Sequence, residues 1–253
     1  MILDKFKLDG KVAVVTGANT GLGQGMSIAL AQAGAKIVGV ARRSCDDTKA
    51  KIEAFGGEFA EVIADLSDTG VIPGIVDGAL QAFGRVDILV NNAGLIIRND
   101  ALDYTEEDWD KVVTVNQKMV YFLSQAFAKQ YIAQGEGGKI INVASMLSYQ
   151  GGIRVPAYTA SKSALLGFTR AMANEWARYG INVNAIAPGY MATNNTAQLR
   201  DDADRSTEIL ARIPAGRWGT SDDMMGAVVW LASDASNYVH GFTVAVDGGW
   251  LAR

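Results

Sequence analysis

One cysteine, Cys45, and one histidine, His240, are all that the chain holds of those two residue types. An intramolecular disulfide is therefore impossible, the donors of an ordinary zinc site are missing, and no metal site is expected. A Ser-His-Asp triad would have to run through His240 alone, which shifts acid–base work toward tyrosine, lysine, aspartate or glutamate. Charge of one sign is also scarce. The 23 basic and 27 acidic residues leave a formal net charge of -4, without the basic footprint that nucleic acid or an anionic membrane would require. No apolar run reaches the ~18 residues of a membrane helix. Met1 to Gly10 alternates apolar with charged residues and forms no signal-peptide core, so a cytoplasmic protein is expected. Four prolines and no low-complexity linker interrupt 253 residues, 49% of them hydrophobic. One domain over 1–253 with a large core is expected.

Short Val- and Ile-rich runs recur with helix-length segments between them: Lys11 to Thr16, Lys36 to Ala41, Phe59 to Ala64, Val86 to Asn91, Lys139 to Ala144, Ile181 to Ala187 and Thr243 to Val246. Most are apolar on both faces, as strands of a parallel sheet covered by helices must be. The expected fold is α/β, a doubly wound open sheet whose ligands sit at the carboxyl ends of the strands.

The first run leads into Thr16-Gly17-Ala18-Asn19-Thr20-Gly21-Leu22-Gly23 and then a helix. Glycines at 17, 21 and 23 permit a tight turn, bring backbone close to a pyrophosphate and let the helix pack on the strand. The spacing is G-x-x-x-G-x-G and no Gly-Lys-Ser/Thr follows, which disfavours triphosphate hydrolysis. A purely structural turn is the alternative. Asp65 and Leu66 close the third run and Asn91-Asn92-Ala93-Gly94 the fourth. A carboxylate at Asp65 can accept from an adenine amino group, and the small Ala93 and Gly94 leave room for a ribose; either segment can instead cap the next helix.

Tyr158 and Lys162 stand one helical turn apart in Tyr-Thr-Ala-Ser-Lys, so phenol and ammonium share a helix face. A cation held near a phenol favours the phenolate, which lets Tyr158 shuttle a proton to or from a substrate oxygen. Ser145 ends the fifth run, where its hydroxyl can bond the reacting oxygen. Asn116, a polar choice inside a helical stretch, can hold a water near Lys162.

With these residues in this order the sequence resembles the short-chain dehydrogenase/reductase family over essentially its full length. The resemblance rests on Thr16 to Gly23, Asp65, Asn91 to Gly94, Asn116, Ser145, Tyr158 with Lys162, and Pro188-Gly189 followed by Thr193. It implies a single Rossmann-fold domain with seven parallel strands, a nicotinamide cofactor and a homotetramer. It also implies Tyr158 as acid–base, Lys162 on the nicotinamide ribose, Ser145 orienting the substrate, Asn116 holding a relay water, and Thr193 with Pro188 and Gly189 at the nicotinamide. The runs Gly138 to Asn142, Ser145 to Pro156, Ala187 to Thr196 and Val246 to Arg253 extend the likeness to members that oxidise or reduce deoxy sugar acids. A reductase for a 3-oxoacyl thioester or a neutral sugar, and a non-catalytic cofactor-binding subunit, are the competing expectations.

Two finer expectations follow. The second run ends Val40-Ala41-Arg42-Arg43 without the acidic residue that favours NAD; Arg42 suits a 2′-phosphate, while the resemblance points to NAD, so use of both NAD and NADP is expected. A sugar-acid carboxylate needs a cationic partner. Arg154, between Ser145 and Tyr158, is the first choice, Arg98 the second and Arg253 the third. The segment Tyr190 to Arg212 is either a mobile lid or a static surface helix.

Overall fold

The computed structural model describes residues 1–253. All seven expected strands form: β1 (Val12–Thr16), β2 (Lys36–Ala41), β3 (Phe59–Ile63), β4 (Ile88–Asn91), β5 (Gly138–Val143), β6 (Ile181–Pro188) and β7 (Thr243–Val246). They make one sheet in the order β3-β2-β1-β4-β5-β6-β7 with every neighbour parallel. Between them run α1 (Gly21–Gln32), α2 (Asp46–Glu53), α3 (Ile72–Phe83), α4 (Glu106–Val113), α5 (Met119–Gln134), α6 (Pro156–Trp176), α7 (Ala197–Asp201), α8 (Ala203–Arg212) and α9 (Ser221–Ala232).

The two-sided burial inferred from sequence is visible strand by strand. In β1, Ala13 and Val15 enter one core with Met26 and Leu30 of α1 and Met224 and Val228 of α9. Val12 and Val14 enter the other, with Ile75 of α3, Leu123 and Phe127 of α5 and Met172 of α6. Alternate side chains of a strand point to opposite faces, so a strand lying between two helical layers must be apolar at every position. The edge strands β3 and β7 are the exceptions, with no fully buried residue in either. No helix is long and apolar enough to cross a membrane.

Chain order turns back between β1 and β4, so the connections leaving these strands diverge and open a crevice at their carboxyl ends. One feature had no counterpart in the sequence reading. The helical stretch around Asn116 is broken by a π turn, Thr114–Lys118, between α4 and α5. A π turn shifts side-chain phase by inserting an extra residue, and here it buries Asn116 completely.

Candidate active site

A cleft of about 640 Å³ runs along the carboxyl ends of the strands, lined at one end by Arg42, Asp65 and Leu66 and at the other by Ser145, Tyr158 and Lys162. Its floor is the glycine turn. Gly17 has φ +67, and a Cβ there would stand 2.9 Å from the Asn92 amide nitrogen; at Gly23 a Cβ would stand 2.1 Å from the Gly17 carbonyl. Side chains at these two positions would push helix and strand apart. The first turn of α1 has neither a side-chain cap nor an acidic residue, so its N–H groups are left to an anion such as a pyrophosphate. Asn19, Gly21, Leu22, Ala93, Gly94, Pro188, Gly189 and Thr193 line the same cleft. A dinucleotide therefore fits the residues present.

The Asn91-Asn92 pair divides its labour. Asn92 Nδ2 donates to the Thr16 carbonyl at 2.8 Å, and the Asn92 and Ala93 N–H groups donate to Thr16 Oγ1 at 3.0 and 2.9 Å. This stitches the end of β4 to the glycine turn. Asn91 faces inward, donating to Ser124 Oγ and Asn142 Oδ1, both at 2.9 Å, while Asn142 donates to Thr169 of α6 at 2.8 Å. The four side chains are fully buried and satisfied, a condition under which a polar network fixes one arrangement of its elements. Asp65 accepts from the Ser67 N–H at 3.0 Å, which with the Arg42 charge holds its carboxyl below the usual range.

At the other end, Ser145 caps a short turn, its Oγ accepting from the Leu147 N–H at 3.1 Å. The hydroxyl also hydrogen-bonds the Tyr158 side chain across the cleft. Ser148 Oγ donates to the Lys162 carbonyl at 2.7 Å, so the turn bearing Ser145 is tied to α6. Lys162 Nζ lies 5.7 Å from the centre of the Tyr158 ring and donates to the Val143 carbonyl at 2.6 Å. Asn116 accepts from the Leu95 N–H and donates to the Leu95 carbonyl, both at 2.9 Å, and to Ser161 Oγ at 3.3 Å. Its amide braces the strand-end loop against α6, leaving one Oδ1 lone pair for a water.

Burial dominates the electrostatics here. Burial raises the Tyr158 phenol above its ordinary value, with partial relief from the Ser145 hydroxyl and the Arg98 charge. Burial also pushes Lys162 down to about 8. Burial therefore opposes charge on both groups, and a charged Lys162 beside Tyr158 works against that desolvation.

The arginines separate clearly. Arg154, in a positive-φ conformation, pairs through Nε with Asp100 at 3.0 Å, and its carbonyl accepts from the Asn99 N–H; it joins two surface loops and, like Arg98, is not among the residues that line the cleft. Arg253 donates to the Arg212 and Ala211 carbonyls. Arg98 is half-buried, has no carboxylate partner, and donates to the Asn195 carbonyl at 2.9 Å. Its charge reaches both Tyr158 and Tyr190, and Arg205 and Arg212 act on Tyr190 as well.

Sequence reasoning missed the wall beyond Tyr190. Tyr190 meets Trp218 and Trp250 edge-on at 5.4 and 4.8 Å, and Arg212 stacks 4.0 Å from the Trp250 ring. Gln150 Oε1 accepts from Trp250 Nε1 at 2.8 Å. These contacts clasp α8, the chain end and the loop after Ser145 together. The pairs lie up to 100 residues apart, so no local pattern in the sequence signals them.

Comparison with known proteins agrees with this geometry. The family model described as enoyl-(acyl carrier protein) reductase matches residues 17–251. A 2-dehydro-3-deoxy-D-gluconate 5-dehydrogenase of Escherichia coli (strain K12) is 64% identical over 253 residues, covering 100% of both chains. Among solved structures, an Agrobacterium tumefaciens chain assigned as a 2-deoxy-D-gluconate 3-dehydrogenase, with bound NADP, is 53% identical and superposes with a TM-score of 0.94 over 98% of this chain and 99% of that one. A gluconate 5-dehydrogenase of Burkholderia cenocepacia, in complex with NADP and tartrate, is 37% identical with a TM-score of 0.94 over 100% of both chains. Fold, cleft and full-length likeness agree: the chain belongs to the short-chain dehydrogenase/reductase family and is an NAD(P)-dependent oxidoreductase.

Proposed function

We propose that the enzyme interconverts a secondary hydroxyl and a ketone of a deoxy sugar acid, of the 2-dehydro-3-deoxy-D-gluconate or 2-deoxy-D-gluconate type. The observation that carries this reading is the 64% identity, end to end, with the E. coli 5-dehydrogenase. Gly17, Gly21 and Gly23 would hold a nicotinamide dinucleotide along the glycine turn, and that group would supply or accept the hydride. Tyr158 gives the phenol proton to the substrate oxygen in reduction and takes it back in oxidation. The Ser145 hydroxyl donates to that same oxygen, and Lys162 holds the phenolate side of the exchange when its ammonium is charged.

Arg98 is assigned the substrate carboxylate, ahead of Arg154 and Arg253. Arg98 makes no ion pair, donates to the carbonyl of Asn195 in the cleft lining and acts on Tyr158, whereas Arg154 already has Asp100 and Arg253 is turned to the carbonyls of Ala211 and Arg212. Losing one charge-assisted bond costs about 1.5 to 3 kcal/mol, or roughly ten- to a hundred-fold in kcat/KM. Arg98→Ala should show that loss with 2-dehydro-3-deoxygluconate and not with a neutral ketone, while Arg154→Ala leaves both nearly unchanged. Steady-state kinetics with both substrates test this reading, and wild-type turnover of 3-oxoacyl thioesters in preference to the keto acid would reverse it.

Dual cofactor use, with Arg42 as partner of a 2′-phosphate, is supported by the exposed Arg42 and Arg43 at the adenine end of the cleft. Arg42→Asp should shift the ratio of kcat/KM for NADP to that for NAD by about ten-fold or more toward NAD. An unchanged ratio would assign both arginines to solvent. A homotetramer is supported by the exposed Tyr121 and Phe122 on α5, beside which the partly buried Phe168 of α6 packs, and sedimentation of the purified chain as four subunits is the expected observation.

A further inference from the structure

Ser145 stands at the head of a 3-10 turn, Met146–Ser148, which has too few internal hydrogen bonds to fix its own position. On one side the turn is tied to α6 by the Ser148 bond to the Lys162 carbonyl. On the other side it has two holds. Met146 is buried in one cluster with Ile209 of α8, Ile213 and Trp250. Gln150 Oε1 accepts from Trp250 Nε1 at 2.8 Å and, more weakly, from Arg212 Nη2 at 3.4 Å. Gly151 and Gly152 come next, so the backbone freedom of glycine begins where the hold of Gln150 ends.

Trp250 is in turn held from below. Its side chain is buried, and Asp247 brackets the turn that carries it, accepting from the Gly249 N–H at 2.9 Å and the Leu251 N–H at 2.8 Å. The Ala215 N–H donates to the Gly248 carbonyl at 2.9 Å, which ties the same turn to the chain leaving α8. An indole has a single N–H and no acceptor. Fixed in this way, it presents that N–H in one direction, and the group that receives it is Gln150, five residues from Ser145.

We propose that Trp250 and Gln150 are positioning residues for Ser145, a proposal that rests on the role of Ser145 given above and not on the identity of the sugar acid. Their hydrogen bond sets the outer side of the turn as the Ser148 bond sets the inner side, so the direction of the Ser145 hydroxyl is fixed before the substrate arrives. That hydroxyl matters most where charge develops on the reacting oxygen, so a small misdirection of it lowers kcat and leaves KM nearly untouched.

Trp250→Phe keeps a ring against Tyr190 and Arg212 and removes the N–H; Gln150→Met keeps the length of the side chain and removes the acceptor. Each should lower kcat about five- to ten-fold, the worth of one hydrogen bond, on the ketone that the wild-type enzyme reduces best. KM and the dissociation constant of NADPH should stay within about two-fold of wild type, the second of these reporting an intact fold. In a Ser145→Ala background no hydroxyl remains to be aimed, so adding either substitution should change kcat by less than about two-fold. A loss that persists in full in that background, a loss confined to KM, or an unchanged kcat in both single variants overturns the proposal. An unimpaired Ser145→Ala overturns it differently, by removing the role of Ser145 on which it stands.

Discussion

Tyr158→Phe should lower kcat/KM for the sugar acid by about 10³-fold, within the range of roughly 10² to 10⁴ that a positioned acid–base group contributes. The substitution removes one hydroxyl and keeps the ring, so affinity for NAD(P) should stay within about two-fold of wild type. The pH profile supplies a second, independent readout. In the free enzyme the phenol is held above its ordinary value by burial and Lys162 titrates near about 8. Carbonyl reduction needs a protonated Tyr158 and a charged Lys162, so its kcat/KM should fall as pH rises through that value. Alcohol oxidation needs the phenolate beside a charged Lys162, so its kcat/KM should rise with pH up to about 8 and level off above it. Whatever activity Tyr158→Phe retains should lack the rising oxidative limb. A variant that keeps the limb, or loses less than about ten-fold, would move the proton transfer to another group.

Much of this arrangement is legible in the sequence because it is written locally. A central strand between two helical layers has no polar face, and Val12–Thr16 and Ile181–Pro188 say so residue by residue. The glycine turn and the Tyr158–Lys162 pair are likewise short-range: one needs glycines where backbone must approach backbone, the other needs the i, i+4 spacing of a helix. What was not legible depends on direction or on medium. Sequence adjacency placed Arg154 near Ser145 and Tyr158, but the chain there turns through positive φ and sends the guanidinium to Asp100. Arg98 is 60 positions before Tyr158, yet its charge acts on that phenol. The π turn at Asn116 leaves the helical pattern of apolar residues nearly intact, so the polar residue itself was the only signal. Burial is likewise invisible in the i, i+4 spacing: the packing that brings Lys162 and Tyr158 together penalises the charged form of both.

That penalty leads to an effect of opposite sign on stability and activity at Lys162. Its side chain is 4% exposed, and Nζ has one protein partner, the Val143 carbonyl. An ammonium so placed has given up most of its hydration for a single bond, an exchange that favours neutrality over charge. Lys162→Met keeps the length and apolar stem while removing the group that must be desolvated. With the folded value near about 8 and the unfolded value at 10.5, the folded state binds fewer protons than the unfolded one between these two pH values. Wild-type stability therefore gains from this site as pH rises from about 8 to 10.5, and below about 8 the full cost of the buried charge is present. Lys162→Met should thus raise Tm by several degrees at pH 7, on the scale of about 2–4 °C per kcal/mol for a chain of this size. The advantage should shrink toward zero near pH 10. Activity should fall by about 10²-fold or more, because the charged amine that holds the phenolate side of the exchange is gone, and cofactor affinity should fall with it. Thermal denaturation of both proteins at pH 7 and pH 10, beside kinetics at pH 7, gives the result: a variant less stable than wild type at pH 7 would mean that the Val143 bond outweighs desolvation, and unaltered turnover would remove Lys162 from the proton exchange.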